Sequence, residues 1–303
     1  MRRSICISAN TLNRAKKSKN DEFYTRYEDI EKEVIHYKDA FRDKVVYCNC
    51  DDHRKSQFVK YFHKRWCCQD FGIKGFFATG YHKDAHGCSY VTDDLCGYIY
   101  ELVGDGDFRS PECLDLLEAA DIVVTNPPFS LFREYFQMLV DYNKQFLVLT
   151  NINSVFCKNV FPYIKSGEVT IGINSGSFTF DIPKIGGQQT LNNICWVTNM
   201  KHEQPDYLNL TELYSPERYP RYDNYNAIEV PRYGLIPKDY IGEMGVPISC
   251  LPKPNTEQFE IIGSSTELAE PIVIGGKKRS GRFYLSGKRM YERLVIRRRR
   301  HET

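Results

Sequence analysis

The sequence predicts an α/β protein whose first two-thirds form a mostly parallel, doubly wound sheet with helices on both faces, followed by a smaller module. Three observations predict it. Short apolar, β-branched runs alternate with amphipathic stretches, the pattern of strands joined by crossover helices. One connecting stretch carries Phe132, Tyr135, Phe136, Leu139 and Val140 at helical spacing, with Arg133, Glu134 and Gln137 facing away. After Met200 the texture changes to many Pro, Gly and Tyr with little helical period.

Taken in order, strands are expected at 44–49, 73–79, 97–103, 121–125, 145–150, 169–173 and 193–198. Helices are expected between them at 28–41, 55–68, 111–119, 129–143 and 154–165. Residues 201–303 read as a mainly β or irregular module, with a turn at Ser286-Gly287-Lys288. The organisation is therefore a basic arm (1–20), an α/β body (21–200) and a C-terminal region (201–303).

Composition narrows the class. With 42% hydrophobic and 26% charged residues, the 303-residue chain has the balance of a soluble globular protein. A core of this size needs no disulfide or metal staple. Apolar runs such as Phe146 to Leu149 are far too short to span a membrane. No apolar signal-peptide core follows Met1-Arg2-Arg3, so the N-terminus reads as a flexible basic arm. The 11 cysteines are odd in number and scattered, which suits a reducing cytoplasm.

The net charge of +2 conceals an asymmetry. Residues 1–19 carry six Lys/Arg and no acid, and residues 275–303 carry eleven against Glu292 and Glu302. The remaining body holds 24 basic and 37 acidic residues. Basic ends on an acidic body fit a polyanion gripped by the termini; taken alone, a charge run is more often a solvated tail.

The chemistry concentrates where 121–125 runs into Asn126-Pro127-Pro128-Phe129. A strand-to-helix junction would also use Asn as a turn residue and Pro at the first helical position. Yet such a tetrad arises by chance in only about one chain in a hundred of this length. An adenine amino nitrogen is a poor nucleophile because its lone pair is delocalised. The Asn126 side-chain oxygen and the Pro127 carbonyl can accept both its N–H groups and favour a pyramidal nitrogen. Pro128 and Pro127 fix the backbone that aims that carbonyl, and Phe129 offers a face for a flipped base. Positioning then supplies most of the catalysis.

Four stretches carry a resemblance: Asp21-Glu-Phe-Tyr-Thr-Arg-Tyr-Glu-Asp-Ile-Glu31, Lys44-Val-Val-Tyr-Cys-Asn-Cys-Asp-Asp52, Gly104-Asp-Gly-Asp-Phe-Arg-Ser110 and Asp121 to Tyr135. Weaker echoes lie at 219–225 and 244–248. On these the chain resembles the EcoRI-type family of adenine-specific DNA modification methylases, over most of 16–262. The resemblance implies a Rossmann-like S-adenosylmethionine-dependent methyltransferase fold with a C-terminal target-recognition module, and double-stranded DNA as substrate. It suggests GAATTC as target, although the segment between Phe180 and Asn193 looks abbreviated. It leaves room for a cognate restriction endonuclease acting on the same site without a stable complex. The expected protein is a cytoplasmic monomer with no membrane partner.

Carried over by position, Phe23, Tyr24 and Thr25 resemble the segment holding the methionine end of the donor, S-adenosyl-L-methionine. Asn49, Cys50, Asp51 and Asp52 occupy the turn after the first strand, where such folds place the donor. Asp107 and Phe108 resemble the pair that binds the donor's adenine. Two departures stand out. Cys48-Asn49-Cys50-Asp51-Asp52 replaces the usual glycine-rich loop, and Thr79-Gly80-Tyr81 puts no acid at the end of the second strand. The ribose partner is therefore open, with Asp51 or Asp52 as candidates.

No metal is expected. Cys48, Cys50, Cys67, Cys68, His82, His86, Cys88 and Cys96 crowd together, but no C-x₂-C pair or knuckle spacing occurs. Gly104-Asp105-Gly106-Asp107 likewise lacks the other ligands of a calcium loop. In the C-terminal region Arg218, Tyr219, Arg221, Tyr222, Tyr225, Arg232 and Tyr233 interleave. Alone they read as a packed tyrosine layer; beside the tetrad they read as a region reaching the major groove. The DNA-contacting candidates are Arg218, Arg221, Tyr222, Lys277, Lys278, Arg279, Arg297 and Arg298. The competing readings are an RNA or protein N-methyltransferase using the same tetrad, and an inactive DNA-binding relative.

Overall fold

The computed structural model describes residues 23–83, 85–92, 97–182 and 187–299; the basic arm, Cys96 and Arg300 lie outside the described residues. The chain groups into two compact units, one up to Val160 with Asn174–Lys201, the other Phe161–Ile173 with the chain from His202 onward. Each is described by itself.

In chain order the elements are β1 (Tyr24–Thr25), α1 (Tyr27–Val34), a 3-10 segment Ile35–Phe41, β2 (Val45–Cys48), α2 (Gln57–Cys67), β3 (Gly75–Gly80), β4 (Cys88–Thr92) and β5 (Gly97–Glu101). Then come α3 (Pro111–Ala119), β6 (Ile122–Thr125), α4 (Phe132–Asp141), β7 (Gln145–Asn151), α5 (Ile152–Val155), α6 (Phe161–Ser166), β8 (Thr170–Ile182) and β9 (Gly187–Thr198). The helix expected over 154–165 is broken into α5 and α6. Pro162 has no N–H to continue a helix from upstream but is tolerated in the first turn of α6.

The strands form one nine-stranded sheet in the order β1-β8-β9-β7-β6-β2-β3-β4-β5. Only its centre is parallel: β3 with β2, β2 with β6, and β6 with β7. On the flanks β4 runs antiparallel to β3, β5 to β4, and β9 to β7. This corrects the expectation of a mostly parallel sheet. A parallel crossover needs a dozen or more residues, and the seven between β3 and β4 permit only a reversal. The strand β4 escaped the sequence reading because Cys88-Ser-Tyr-Val-Thr92 is short and weakly alternating.

Val46, Tyr47 and Cys48 of β2 are all buried, their side chains alternating between the two faces of the sheet. Val46 and Cys48 join Phe58 and Phe62 of α2, Ile30 and Val34 of α1, and Trp196 of β9 in one apolar cluster. Tyr47 faces the other side, where its hydroxyl donates to the Cys113 carbonyl of α3 at 3.4 Å. Phe136 of α4 packs edge-on against Phe146 of β7 there, centroids 5.8 Å apart. Helices thus cover both faces. The chain order reverses between β2 and β6, and that switch point opens a crevice at their carboxyl ends.

In the second unit strands dominate. β10 (Arg221–Tyr222), β11 (Tyr225–Glu229), β12 (Met244–Pro247), β13 (Phe259–Ser264) and, after a turn of helix α7 (Ser265–Leu268), two hairpins and a last strand follow. The hairpins are β14 (Ile272–Ile274) with β15 (Lys277–Arg279), and β16 (Tyr284–Leu285) with β17 (Lys288–Arg289). The last strand, β18 (Arg293–Arg298), lies between β12 and β13 in a five-stranded sheet. Glu229 and Arg293 make a buried ion pair at 2.8 Å, which the Tyr222 hydroxyl joins.

Candidate active site

A cavity of about 490 Å³ opens at the switch point in the first unit. Its lining includes every residue expected to hold the donor (Phe23, Tyr24, Thr25, Asn49, Cys50, Asp51, Asp52, Asp107 and Phe108) together with Asn126 and Pro128 of the tetrad. Four separate chain segments therefore converge on one cavity.

The switch point is tied by Asp51. Its carboxylate accepts from Ser56 Oγ at 2.6 Å and from Thr125 Oγ1 at 2.5 Å. The first hydroxyl caps α2, also accepting from the Phe58 N–H, and the second ends β6 one residue before Asn126. Burial pushes the Asp51 carboxyl up to about 6, against the pull of the two hydroxyl hydrogen bonds. Asn49 is held by the Tyr135 hydroxyl, which donates to its Oδ1.

Asn126 Nδ2 donates to the Phe23 carbonyl at 2.8 Å. An amide that gives its NH₂ to a carbonyl must turn its oxygen the other way. That oxygen is buried and has no hydrogen-bond partner among the described residues. Thr25 Oγ1 and Asn49 Nδ2, on two other lining residues, are orphaned in the same way. Buried polar atoms rarely stay unpaired, so three at one cavity mark places for a ligand's own donors and acceptors. Cys50 also lines the cavity, its thiol kept protonated chiefly by burial and then by Asp51.

Asp107 and Phe108 reach the cavity by a route the sequence hides, because β5 before them is antiparallel. Gly106 adopts φ +79°, and a Cβ there would stand 2.3 Å from the Gly80 carbonyl oxygen. Without side chains the loop lies on the end of β3, where His82 N–H donates to the Asp105 carbonyl at 2.8 Å. Arg109 clamps Asp107 with Nε and Nη2 at 2.8 and 2.6 Å, and holds its carboxyl below the usual range. The Phe108 ring is buried between Tyr135 and the Arg109 guanidinium. The glycines of Gly104-Asp105-Gly106 were the available signal; Arg109 and Ser56 were missed.

Phe129 lies outside the cavity lining. It stacks on Phe23, centroids 6.1 Å apart, and meets Phe180 edge-on at 6.3 Å. Pro127 is buried, and Pro128 accepts from Leu131 N–H at 2.9 Å, so the expected helix begins as a 3-10 turn over Phe129–Leu131.

The DNA-contacting candidates separate into groups. Tyr222 is withdrawn: only 5% exposed, it sits in the core of the second unit with Phe283 and Val295. Arg297 and Arg298 are a strand end and not a free tail; Arg297 pairs with Glu260 at 2.8 Å, and Arg298 donates to the Lys238 carbonyl. Arg218 pairs with Glu212 at 2.5 Å, and Arg221 donates to Asn226. Lys277, Lys278 and Arg279 are exposed along β15.

The chain matches the family described as adenine-specific methyltransferase EcoRI over residues 11–96 and 92–299. It is 41% identical to Type II methyltransferase M.EcoRI of Escherichia coli, over 92% of this chain and 97% of that protein. It is 36% identical to Type II methyltransferase M.MpnI of Mycoplasma pneumoniae, covering 96% and 98%, and 33% identical to M.MgeORF184P of Mycoplasma genitalium, covering 94% and 98%. No solved structure matches. Among the described residues no helix is long and apolar enough to cross a membrane.

Proposed function

The chain belongs to the family of the adenine-specific methyltransferase EcoRI, and on that premise we propose that it is a site-specific DNA methyltransferase acting on N6 of an adenine flipped out of duplex DNA. The observation that carries the reading is the buried, unpartnered Asn126 oxygen beside the cavity. It is the acceptor that an amino group needs, held in orientation before any substrate arrives.

S-adenosylmethionine suits the cavity: carboxylates of Asp51 and Asp107 face a cationic, amino-bearing molecule, and the orphaned Thr25 Oγ1 and Asn49 Nδ2 offer both a donor and an acceptor. When bound, the donor supplies an electrophilic methyl group. The protein's part is orientation. Asn126 Oδ1 and the Pro127 carbonyl hold the two amino hydrogens, so the nitrogen lone pair turns out of the ring plane toward the methyl group. The nitrogen gains the methyl group and loses one proton to solvent. The reaction needs no covalent enzyme intermediate, and desolvation raises the Cys50 thiol above its ordinary value.

The second unit, with its exposed hairpin cations, is read as the target-recognition region, and the first as the Rossmann-like donor-binding body. The test is methylation with labelled donor on duplex DNA, RNA and protein, followed by sequencing of DNA from an expressing host for N6-methyladenine. Label confined to duplex DNA, at adenine of one recurrent sequence, is expected. Label in RNA or protein alone would overturn the assignment.

A further inference from the structure

Gly80 ends β3 against the turn that follows β2. A Cβ at this position would fall 2.7 Å from the Asp52 Cα and 3.0 Å from Cys88 Sγ. The missing side chain is what lets two chain segments close on each other. Into that closure four metal-ligating side chains project from three turns: Asp52 and His53 after β2, His82 after β3, and Cys88 at the start of β4.

Cys88 Sγ lies 3.7 Å from Asp52 Oδ1 and 3.5 Å from His82 Nε2. His82 Nε2 is 3.4 Å from Asp52 Oδ2, and His53 Nδ1 is 3.8 Å from Asp52 Oδ1. One ligand atom each of Asp52, His53 and Cys88 all fall within 4.8 Å of one another. A tetrahedral zinc ion with bonds of about 2.0–2.3 Å has ligand-to-ligand edges of roughly 3.3–3.6 Å. Asp52 meets Cys88 and His53 through Oδ1 and His82 through Oδ2, at 3.4 to 3.8 Å, so a small rotation of its carboxylate is needed to bring one oxygen toward a shared ion. Asp52 and Cys88 are each 7% exposed, and His53 Nδ1 is buried with no hydrogen-bond partner among the described residues.

A positive charge already sits there. Arg54 Nε donates to Asp52 Oδ1 at 3.2 Å, and its Nη2 lies 3.1 Å from His82 Nε2. That side chain is more than half exposed, so it can swing into solvent when another cation takes its place.

We propose that Asp52, His53, His82 and Cys88 form a binding site for one zinc-class divalent cation. Two nitrogens, one sulfur and one carboxylate oxygen suit Zn²⁺ or Co²⁺ and not the all-oxygen demands of Ca²⁺ or Mg²⁺. As the sulfur–metal bond forms, the Cys88 proton leaves to solvent; thiolate and carboxylate then balance the two positive charges. The ion clips the turn after β2 to the β3–β4 connection, at the wall of the cavity that Asp52 and His82 line. The absence of knuckle spacing argued against any metal in the sequence, but here the ligands come from separate turns that only the fold unites. Asp52 is thereby committed to the ion, which leaves Asp51 as the candidate for the donor's ribose; metal uptake is read without methyl transfer.

The test uses the full chain, stripped by chelator and titrated with Co²⁺ and then Zn²⁺. One Co²⁺ per chain is expected, with the strong visible absorption of a tetrahedral site and a sulfur-to-cobalt charge-transfer band, both displaced by Zn²⁺. Cys88→Ser should lose the charge-transfer band. His53→Ala should bind more than about tenfold more weakly, since losing even a supporting partner of a ligand costs that much. Arg54→Ala should bind no more weakly than the unaltered chain. The cobalt spectrum of the unaltered chain and the His53→Ala titration decide the matter if Cys88→Ser does not fold. Failure of the unaltered chain to take up stoichiometric metal, a Cys88→Ser chain that keeps the band, or a His53→Ala chain with undiminished affinity overturns the proposal.

Discussion

The side-chain amide of Asn126 is tethered to the backbone of Phe23: Nδ2 donates to the Phe23 carbonyl at 2.8 Å and leaves Oδ1 unpaired beside the cavity. Two expectations follow for position 126. Asn126→Ala should abolish methyl transfer while donor and DNA affinities stay near normal. Asn126→Asp keeps an acceptor but sets an oxygen against the Phe23 carbonyl with no hydrogen between them. An unmet buried polar group costs about 1–3 kcal/mol, so turnover should fall by roughly ten- to a hundredfold. Single-turnover methylation measures both; near-normal rates in Asn126→Asp would show that the tether does not orient the amide.

Phe129 rests on Phe23 and Phe180, which leaves the ring half-buried. If its remaining face receives the flipped adenine, Phe129→Ala should lose about 1–3 kcal/mol of transition-state stabilisation in kcat/KM, the range for base–aromatic stacking. Phe129→Trp should retain most activity. Equal losses in the two variants would assign the ring to the core alone.

Asp51 predicts a pH dependence. Its folded pKa of about 6 lies above the ordinary 3.8 because the carboxyl is buried. Between those two values the native state holds a proton that the unfolded chain has released, so the group's contribution to stability falls as pH rises through the window. Donor binding should show the opposite slope. A cationic ligand favours the ionised carboxylate, so affinity should weaken by up to about tenfold per pH unit below 6 and level off above 7. Calorimetry across pH 5 to 8 checks this, and Asp51→Asn should flatten the profile. An identical bend in Asp51→Asn would place the titration elsewhere.

Much of this was legible in the sequence because the donor-site motifs stand at strand ends. Asp51-Asp52 after β2 and Asn126 after β6 meet at the switch point as soon as the two strands are paired. What was not legible depends on side chains crossing between segments. The Phe23–Asn126 tether joins residues 103 apart, and nothing local in Asp21-Glu-Phe23 announces it. Tyr222 and Arg297 misled for the same reason. In composition they are surface residues of a DNA-binding stretch, yet Glu229 and Glu260 engage them once the five-stranded sheet forms.

Asp107 should matter to the donor more than to DNA. Arg109 engages both carboxylate oxygens, Oδ1 through its backbone N–H and Nε and Oδ2 through Nη2 alone, so Oδ2 keeps a second lone pair for the donor's adenine amino group. A hydrogen bond to a charged partner is worth about 1.5–3 kcal/mol, so Asp107→Ala should weaken donor binding by at least about tenfold. DNA affinity measured alongside should hold; an equal loss of both would mean that the variant disturbs the fold of the 104–110 loop.

The last expectation concerns the hairpin β14–β15. Gly275 and Gly276 take φ of +57° and +72°, the conformation of a two-residue turn that follows strand twist, and Ile274 faces Lys277 across it. Three consecutive cations, Lys277, Lys278 and Arg279, are therefore displayed on a narrow two-stranded ribbon with all three exposed. A ribbon of this width fits the major groove, and cations on it can also reach phosphates. If all three meet phosphates, replacing them with Gln should flatten the dependence of log K on log salt by up to roughly 2.7, about 0.9 per contact. Because phosphate contacts position without reading sequence, preference for the specific duplex over a random one should hardly change. Deleting 297–303 would be the wrong experiment, since Arg297 and Arg298 belong to a strand held between β12 and β13. The hairpin variants remove charge without removing a strand that other strands depend on. DNA affinity over a salt series, on both duplexes, decides: an unchanged slope assigns the cations to solvent, and a loss confined to the specific duplex makes the hairpin a reader of bases.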